Sequence, residues 1–315
     1  FILMLVGCFE AFYGLVEYLS RHQHIFLFKK KYYTDCVTGT YINRNHFAGY
    51  LEMVIPLTLG YFLSQRSPVI NRKSKSWRYH LSTVDTRLSI NSLLIFAVII
   101  MILALIFSQS RMGILSLLSS MGFMALMLIS SSKRKGRRIL SFIFTVTLIL
   151  IFWGAWIGLD PVMKRFSVVS QNWTSESGRL AVWKDTVNLI KDFPILGTGL
   201  GTYEHIFPKY KTFTSRNVYK HAHNDYMEFL SEAGLIGFII IFGGVGFYMI
   251  KIIGKWRERR DPFVKGITLG GLSALVSLLF HSITDFNLHI PANAMLLAVI
   301  MGLTFSSVNL RRSEA

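Results

Sequence analysis

Residues 220–237, KHAHNDYMEFLSEAGLIG, hold two histidines, an asparagine, an aspartate and two glutamates in their first thirteen positions, then run straight into an apolar segment. Near neutral pH, imidazole is the side chain best suited to take a proton from a hydroxyl group. His223 is therefore a candidate for general-base chemistry. With a helix beginning near His223, that histidine would share a face with Met227 and Leu230, and Asn224 and Glu228 would lie one turn apart. Zinc is the rival ligand for the two histidines, but a spacing of two suits a strand better than a helix and no third ligand is close in sequence. The plainer alternative is a polar helix start at a membrane interface.

Two arginines offer the complementary chemistry, holding an anion. Ser108-Gln109-Ser110-Arg111 is a compact polar turn between two apolar runs. An always-charged planar fork there suits a phosphate or diphosphate, although a lone interfacial arginine can also simply reach toward lipid headgroups. Arg179 follows Ser177 and Gly178 at the start of a helical pattern, where free backbone N–H groups already favour an anion. Its alternative is a surface salt bridge to Glu176 or Asp185. Near the end of the chain, residues 281–291 carry His281, Asp285 and His289 at a membrane boundary, where such groups are costly unless paired or hydrated. Asp285 and His289 join Asn224 and His221 as candidate substrate-binding residues.

These groups must be positioned by membrane helices. The chain of 315 residues is 52% hydrophobic and only 16% charged, a composition of integral membrane proteins. Apolar runs of spanning length recur at about 1–19, 46–64, 91–107, 112–129, 139–158, 233–253, 266–282 and 292–309. The expected fold is thus all-α: a polytopic membrane bundle of about eight spans with one large helical loop. Residues 1–158 carry the first five spans, 159–232 form the loop and 233–315 carry the last three. Because the chain opens on Phe1-Ile2-Leu3 inside an apolar run, an N-terminal truncation is expected. Glu10 and Glu17 interrupt that run and argue against a signal peptide.

The net charge of +17 suggests nucleic acid until its distribution is considered. Segments 65–90, 130–138, 251–265 and the tail alternate with the other loops and hold nineteen of the thirty-four Lys and Arg residues. That bias marks the cytoplasmic side, so 20–45, 108–111, 159–232 and 283–291 are expected to face outward, and no nucleic-acid partner is implied. Lys29-Lys30-Lys31 falls on the outer side and conflicts with this rule. Cys8 and Cys36 show neither metal-ligand spacing nor a plausible pairing.

In the loop, Leu180, Trp183, Val187 and Ile190 recur at spacings of three and four and predict a helix with that face buried. Pro194 ends it. Gly197-Thr198-Gly199-Leu200-Gly201 reads as a flexible turn before a second short helix at about 201–209. The glycines lack the spacing and the strand context of a dinucleotide fingerprint.

Taken in order, residues 39–48 (GTYINRNHFA), Ser108-Gln109-Ser110-Arg111, Gly178-Arg179 with Trp183, residues 193–199 (FPILGTG) and the histidine motif resemble the O-antigen ligase and polymerase superfamily of bacterial envelope glycosyltransferases. The histidine motif of the ligases is met throughout: His223-Asn224, nine residues, Gly234, two residues and Gly237. The resemblance implies transfer of a glycan from an undecaprenyl diphosphate carrier to a lipid or glycan acceptor, at the periplasmic face of the bacterial inner membrane. It places Arg111 and Arg179 on the diphosphate and His223 beside the acceptor, with no cofactor and no metal. A polymerase or a protein O-oligosaccharyltransferase carries the same motifs. The alternative from a different class is a membrane transporter that relays ions through Glu10, Glu17, Glu52 and Asp285. Glu10 and Glu17 lie seven apart on one helix face.

Overall fold

A computed structural model describes residues 1–65, 77–131, 178–214 and 218–310. Among these, seven helices are long and apolar enough to cross a membrane: Ile2–Leu19, Arg44–Ser64, Ser89–Phe107, Arg111–Ser131, Asp225–Glu258, Pro262–His281 and Pro291–Asn309. The chain is an all-α, multi-pass membrane protein. The expected span at 139–158 lies outside the described residues. Two compact units are formed, one from Phe1–Ile143, Ile252–Ser277 and Leu296–Ala315, the other from Phe144–Lys251 and Leu278–Met295.

The first unit is organised around α2 (Arg44–Ser64), the most buried of the spanning helices. It packs on α1 (Ile2–Leu19), α3 (Trp77–Phe107) and α4 (Arg111–Ser131). Small residues allow its closest approach. A Cβ on Gly60 would run into the backbone of Gly266 and Gly270, one turn apart on α9 (Pro262–His281), the arrangement by which membrane helices gain dispersion contacts without a hydrophobic driving force.

The segment between α1 and α2 contains a two-residue hairpin, β1 (His24–Ile25) with β2 (Phe28–Lys29), and is fastened to α1 by two acids. Glu10 accepts from the Thr40 backbone N–H at 2.9 Å and from its hydroxyl at 2.6 Å. Buried Glu17 pairs with buried Lys30 at 3.1 Å. Breaking such a pair from one side leaves an uncompensated buried charge, at about 3–5 kcal/mol. The pair accounts for one of the three lysines that conflict with the charge bias: Lys30 is neutralised inside the fold. With Thr40 and Lys30 respectively, Glu10 and Glu17 both have structural partners, which weighs against an ion relay through them.

The second unit contains α5 (Arg179–Asp192), α6 (Tyr203–Ile206), a 3-10 turn at Phe207–Lys209 and α7 (Asp225–Phe238). Past a π-turn at Ile239–Gly243, α7 continues into α8 (Gly244–Glu258), and α9 leads through the 282–290 loop to α10 (Pro291–Asn309). Val182, Leu189, Tyr203, Phe207 and Ala222 form the core beneath α5. The helix expected in the loop is present, but the buried face is Val182, Asp185, Thr186 and Leu189, whereas Leu180 and Val187 are exposed. The rotation has a polar cause. Asp185 accepts from the Thr212 N–H at 2.8 Å and its hydroxyl at 2.9 Å, and the Thr186 and Tyr203 hydroxyls lie 2.7 Å apart, so two polar side chains are satisfied inside.

The glycines at 197–201 are not a loose turn. Inside α7, Gly234 adopts φ 63 and ψ −173 and breaks the helix. The freed groups are taken up by the 193–199 segment: Leu235 N–H donates to Pro194 O at 2.9 Å and Ile236 N–H to Ile195 O at 3.2 Å. In return, Thr198 N–H donates to Ser231 O at 3.0 Å and Gly199 N–H to Glu232 O at 2.8 Å. The nine residues between Asn224 and Gly234 are therefore the length of helix between its cap and its break.

Candidate active site

The site in the second unit is built around the N-terminus of α7. Asn224 is the N-cap, its side-chain oxygen accepting from Met227 N–H at 3.1 Å, a contact worth about 1 kcal/mol. The helix thus starts at Asp225, two residues later than expected. His223 precedes it in the left-handed region at φ 53, so the face it was expected to share with Met227 and Leu230 does not exist. A side chain in this conformation costs about 1–2 kcal/mol, and such strain persists only where its surroundings enforce it. Here the enforcement is on both sides. Two residues on, the Asp225 N–H is held by the carbonyls of Ser282 at 2.9 Å and Asp285 at 3.2 Å, and one residue before, the Ala222 N–H by Glu228 Oε2 at 2.8 Å.

Around this start the loop before α10 closes a chain of histidines and carboxylates. His221 Nδ1 lies 2.7 Å from Glu228 Oε1. His289 Nδ1 lies 2.7 Å from Asp225 Oδ1, and its Nε2 is 3.5 Å from Glu228 Oε1. An ionised carboxylate only accepts, so each Nδ1 carries the hydrogen, and a neutral His221 keeps its Nε2 lone pair for another proton. Burial alone would lower the pKa of His289, but the hydrogen bond to Asp225 and the charges of Glu228, Asp225 and Glu232 outweigh it and raise the value. His223 Nδ1 is 3.6 Å from Asp285 Oδ1, within ion-pair reach but beyond a hydrogen bond. Phe286 stacks on His221 at 4.0 Å and stands edge-on to His223 at 5.0 Å.

The candidate residues divide as follows. His221, His223, Asn224, Asp285 and His289 come together in this cluster. Arg179 is the first residue of α5, and one turn on, the Trp183 indole donates to Ala222 O at 3.0 Å, fastening the helix to the residue before His223. Arg111 belongs to the first unit. It opens α4 behind Ser110, whose hydroxyl accepts from Gly113 N–H at 3.3 Å, while Gln109 turns at φ 55 and its amide donates to Asp35 O at 2.9 Å. The sequence assigned no chemistry to Glu228 and Asp225, which orient the two histidines. An acid four residues after an N-cap was the available signal, and it reads equally well as helix-dipole compensation.

The fold and this site define a multi-pass helical membrane protein with a histidine- and carboxylate-lined centre at the end of a broken span. A family model described as O-antigen ligase matches residues 96–242, which bears out the resemblance to the O-antigen ligase and polymerase superfamily. No curated protein matches the sequence. The matched stretch contains Arg111, Arg179, His221, His223, Asn224 and the break at Gly234, and ends before Asp285 and His289. A glycosyltransferase-like activity, of ligase or polymerase type, goes with this family.

Proposed function

We propose that the protein transfers a glycan from an undecaprenyl diphosphate carrier to a hydroxyl acceptor, in the manner of an O-antigen ligase, at the periplasmic face of the bacterial inner membrane. The observation that carries this proposal is the histidine–carboxylate cluster at the start of α7, whose residues 221–228 fall inside the matched stretch, one short helix from a break in a membrane span. His223 takes the acceptor proton as the hydroxyl oxygen bonds to the anomeric carbon. The bond from that carbon to the diphosphate oxygen breaks with its electron pair, and Arg111 and Arg179 hold the departing charge. Direct displacement inverts the anomeric carbon, and no metal is required. Asn224 shapes the backbone that presents His223, while His221, Asp285 and His289 line the acceptor side.

Donor and acceptor are tested together by deleting the gene. A lipid-linked glycan should accumulate and one surface polymer should disappear. Unchanged lipid-linked pools would sink the proposal, whereas polymer shortened rather than lost would favour a polymerase and loss of glycan from protein an oligosaccharyltransferase. A second assignment of the base has its own support. His221, with its carboxylate partner at 2.7 Å, has the geometry that orients and activates an imidazole.

Facing is tested by reporter fusions. A periplasm-active reporter is expected to work at Lys209 and fail at Gly136; activity at Gly136 would reverse the topology. For the anion site, Arg111→Lys keeps the charge but replaces a forked contact with a point charge. Transfer from purified lipid-linked donor should fall about tenfold to a hundredfold, the size of one charge-assisted hydrogen bond. Native rates in the Lys variant would make Arg111 a headgroup anchor.

A further inference from the structure

Residues 193–200 present Phe193, Ile195, Leu196 and Leu200 outward, Leu196 with 74% of its surface exposed. A soluble surface rarely leaves such a group uncovered, and a contiguous apolar patch marks an interface. What covers it follows from its backbone. The segment is hydrogen-bonded directly to residues 231–236 of α7, so its side chains lie at the same depth as Leu235 and Ile236, which are also exposed. The outward face then continues down the span through Ile239 and Ile240.

The position of that depth can be counted. From Leu235 to Ile253 the chain is apolar for nineteen residues apart from Lys251, and Lys255 follows. A hydrocarbon core takes about 20 helical residues, and Lys251, near the far end, can extend its ammonium to the headgroups. Gly234 thus sits where α7 meets the edge of the core, with Asp225, Glu228 and Glu232 above it. Irregular backbone survives at that depth only when its polar groups are paired. Here they are, since Pro194 O, Ile195 O, Thr198 N and Gly199 N are bonded to α7 and Gly197 N–H to Phe193 O at 3.2 Å.

We propose that residues 193–200 form an interfacial element whose apolar side chains insert into the boundary between headgroups and acyl chains, anchoring the α7 break and the histidine cluster above it at the bilayer surface. The occupant is lipid, because the patch is continuous with the lipid-facing side of a span to which it is bonded. This holds whichever reaction the site performs.

The test is spin labelling in vesicles of phosphatidylethanolamine and phosphatidylglycerol. Leu196→Cys and, separately, Leu200→Cys are labelled with a nitroxide in a Cys8→Ala background, Cys36 being fully buried. Lys209→Cys, at an exposed loop position, is the reference. Labels at 196 and 200 should relax more with lipid-soluble oxygen than with a water-soluble nickel chelate, and the label at 209 should do the reverse. Nickel accessibility at 196 and 200 equal to that at 209 would overturn the proposal. Shielding from both reagents would also overturn it, assigning the patch to a protein contact. Because the two labelled residues are exposed, either variant alone is sufficient to decide.

Discussion

His223→Ala is expected to lower glycan transfer by about a hundredfold to ten-thousandfold, the contribution of a positioned general base, while the protein still inserts and binds lipid-linked donor. His223 is held at φ 53 by the clamps on Ala222 and Asp225, so alanine there removes the imidazole and retains the strain. For that reason folding must be checked beside activity. His221→Ala should be milder if His223 is the base, since it removes the partner of Glu228 and not the group facing the acceptor. The decisive measurement is transfer from purified undecaprenyl diphosphate glycan by both variants with EDTA present. Loss confined to His221→Ala would move the base to the Glu228-linked imidazole. Wild-type activity that vanishes in EDTA and returns with zinc would replace the base by a metal site.

Gly197→Ala and Gly234→Ala are expected to cost at least a few kcal/mol of stability and most of the folded yield. Both glycines have positive φ, 68 and 63 respectively, and a Cβ on either would stand under 3.0 Å from backbone atoms across the splice. The left-handed conformation contributes about 1–2 kcal/mol for any L side chain; overpacking against backbone adds about 1–3 kcal/mol. Two other glycines separate these terms. Gly201 has φ 75 with nothing within 4 Å, and Gly244 lies in a helix with nothing within 4 Å. Thermal unfolding of purified protein should therefore rank Gly244→Ala near wild type, Gly201→Ala modestly lower and the splice variants lowest. Equal melting of Gly197→Ala and Gly201→Ala would show that the segment and the helix do not meet as described.

The seven spans among the described residues were legible because hydropathy over about 20 residues reports burial in lipid directly, and the 221–228 part of the histidine cluster was legible because its members are dense in one stretch. The details that depend on distant partners were not. The start of α7 slipped by two residues because the clamps on Ala222 and Asp225 come partly from the 282–285 loop, some sixty positions away. The buried face of α5 was misread because Asp185 and Thr186 look like surface residues until Thr212 and Tyr203 are folded against them. The glycines at 197–201 carried the signature of a turn, and nothing local to them announces that Gly234 needs them. Lys30 likewise looked like a misplaced surface charge, because its acid lies on α1, thirteen residues earlier.

The splice at Gly234 also imposes an order on biogenesis. Ile195 is synthesised some forty residues before the Ile236 N–H that it receives. Until the two meet, a span enters the bilayer with four backbone groups unpaired near the edge of the hydrocarbon, each costing several kcal/mol in lipid. The half-made protein therefore carries a defect that only its own earlier segment can repair. Damage to residues 193–199 should accordingly appear first as chains that insert and are then degraded, before any catalytic deficit can be measured.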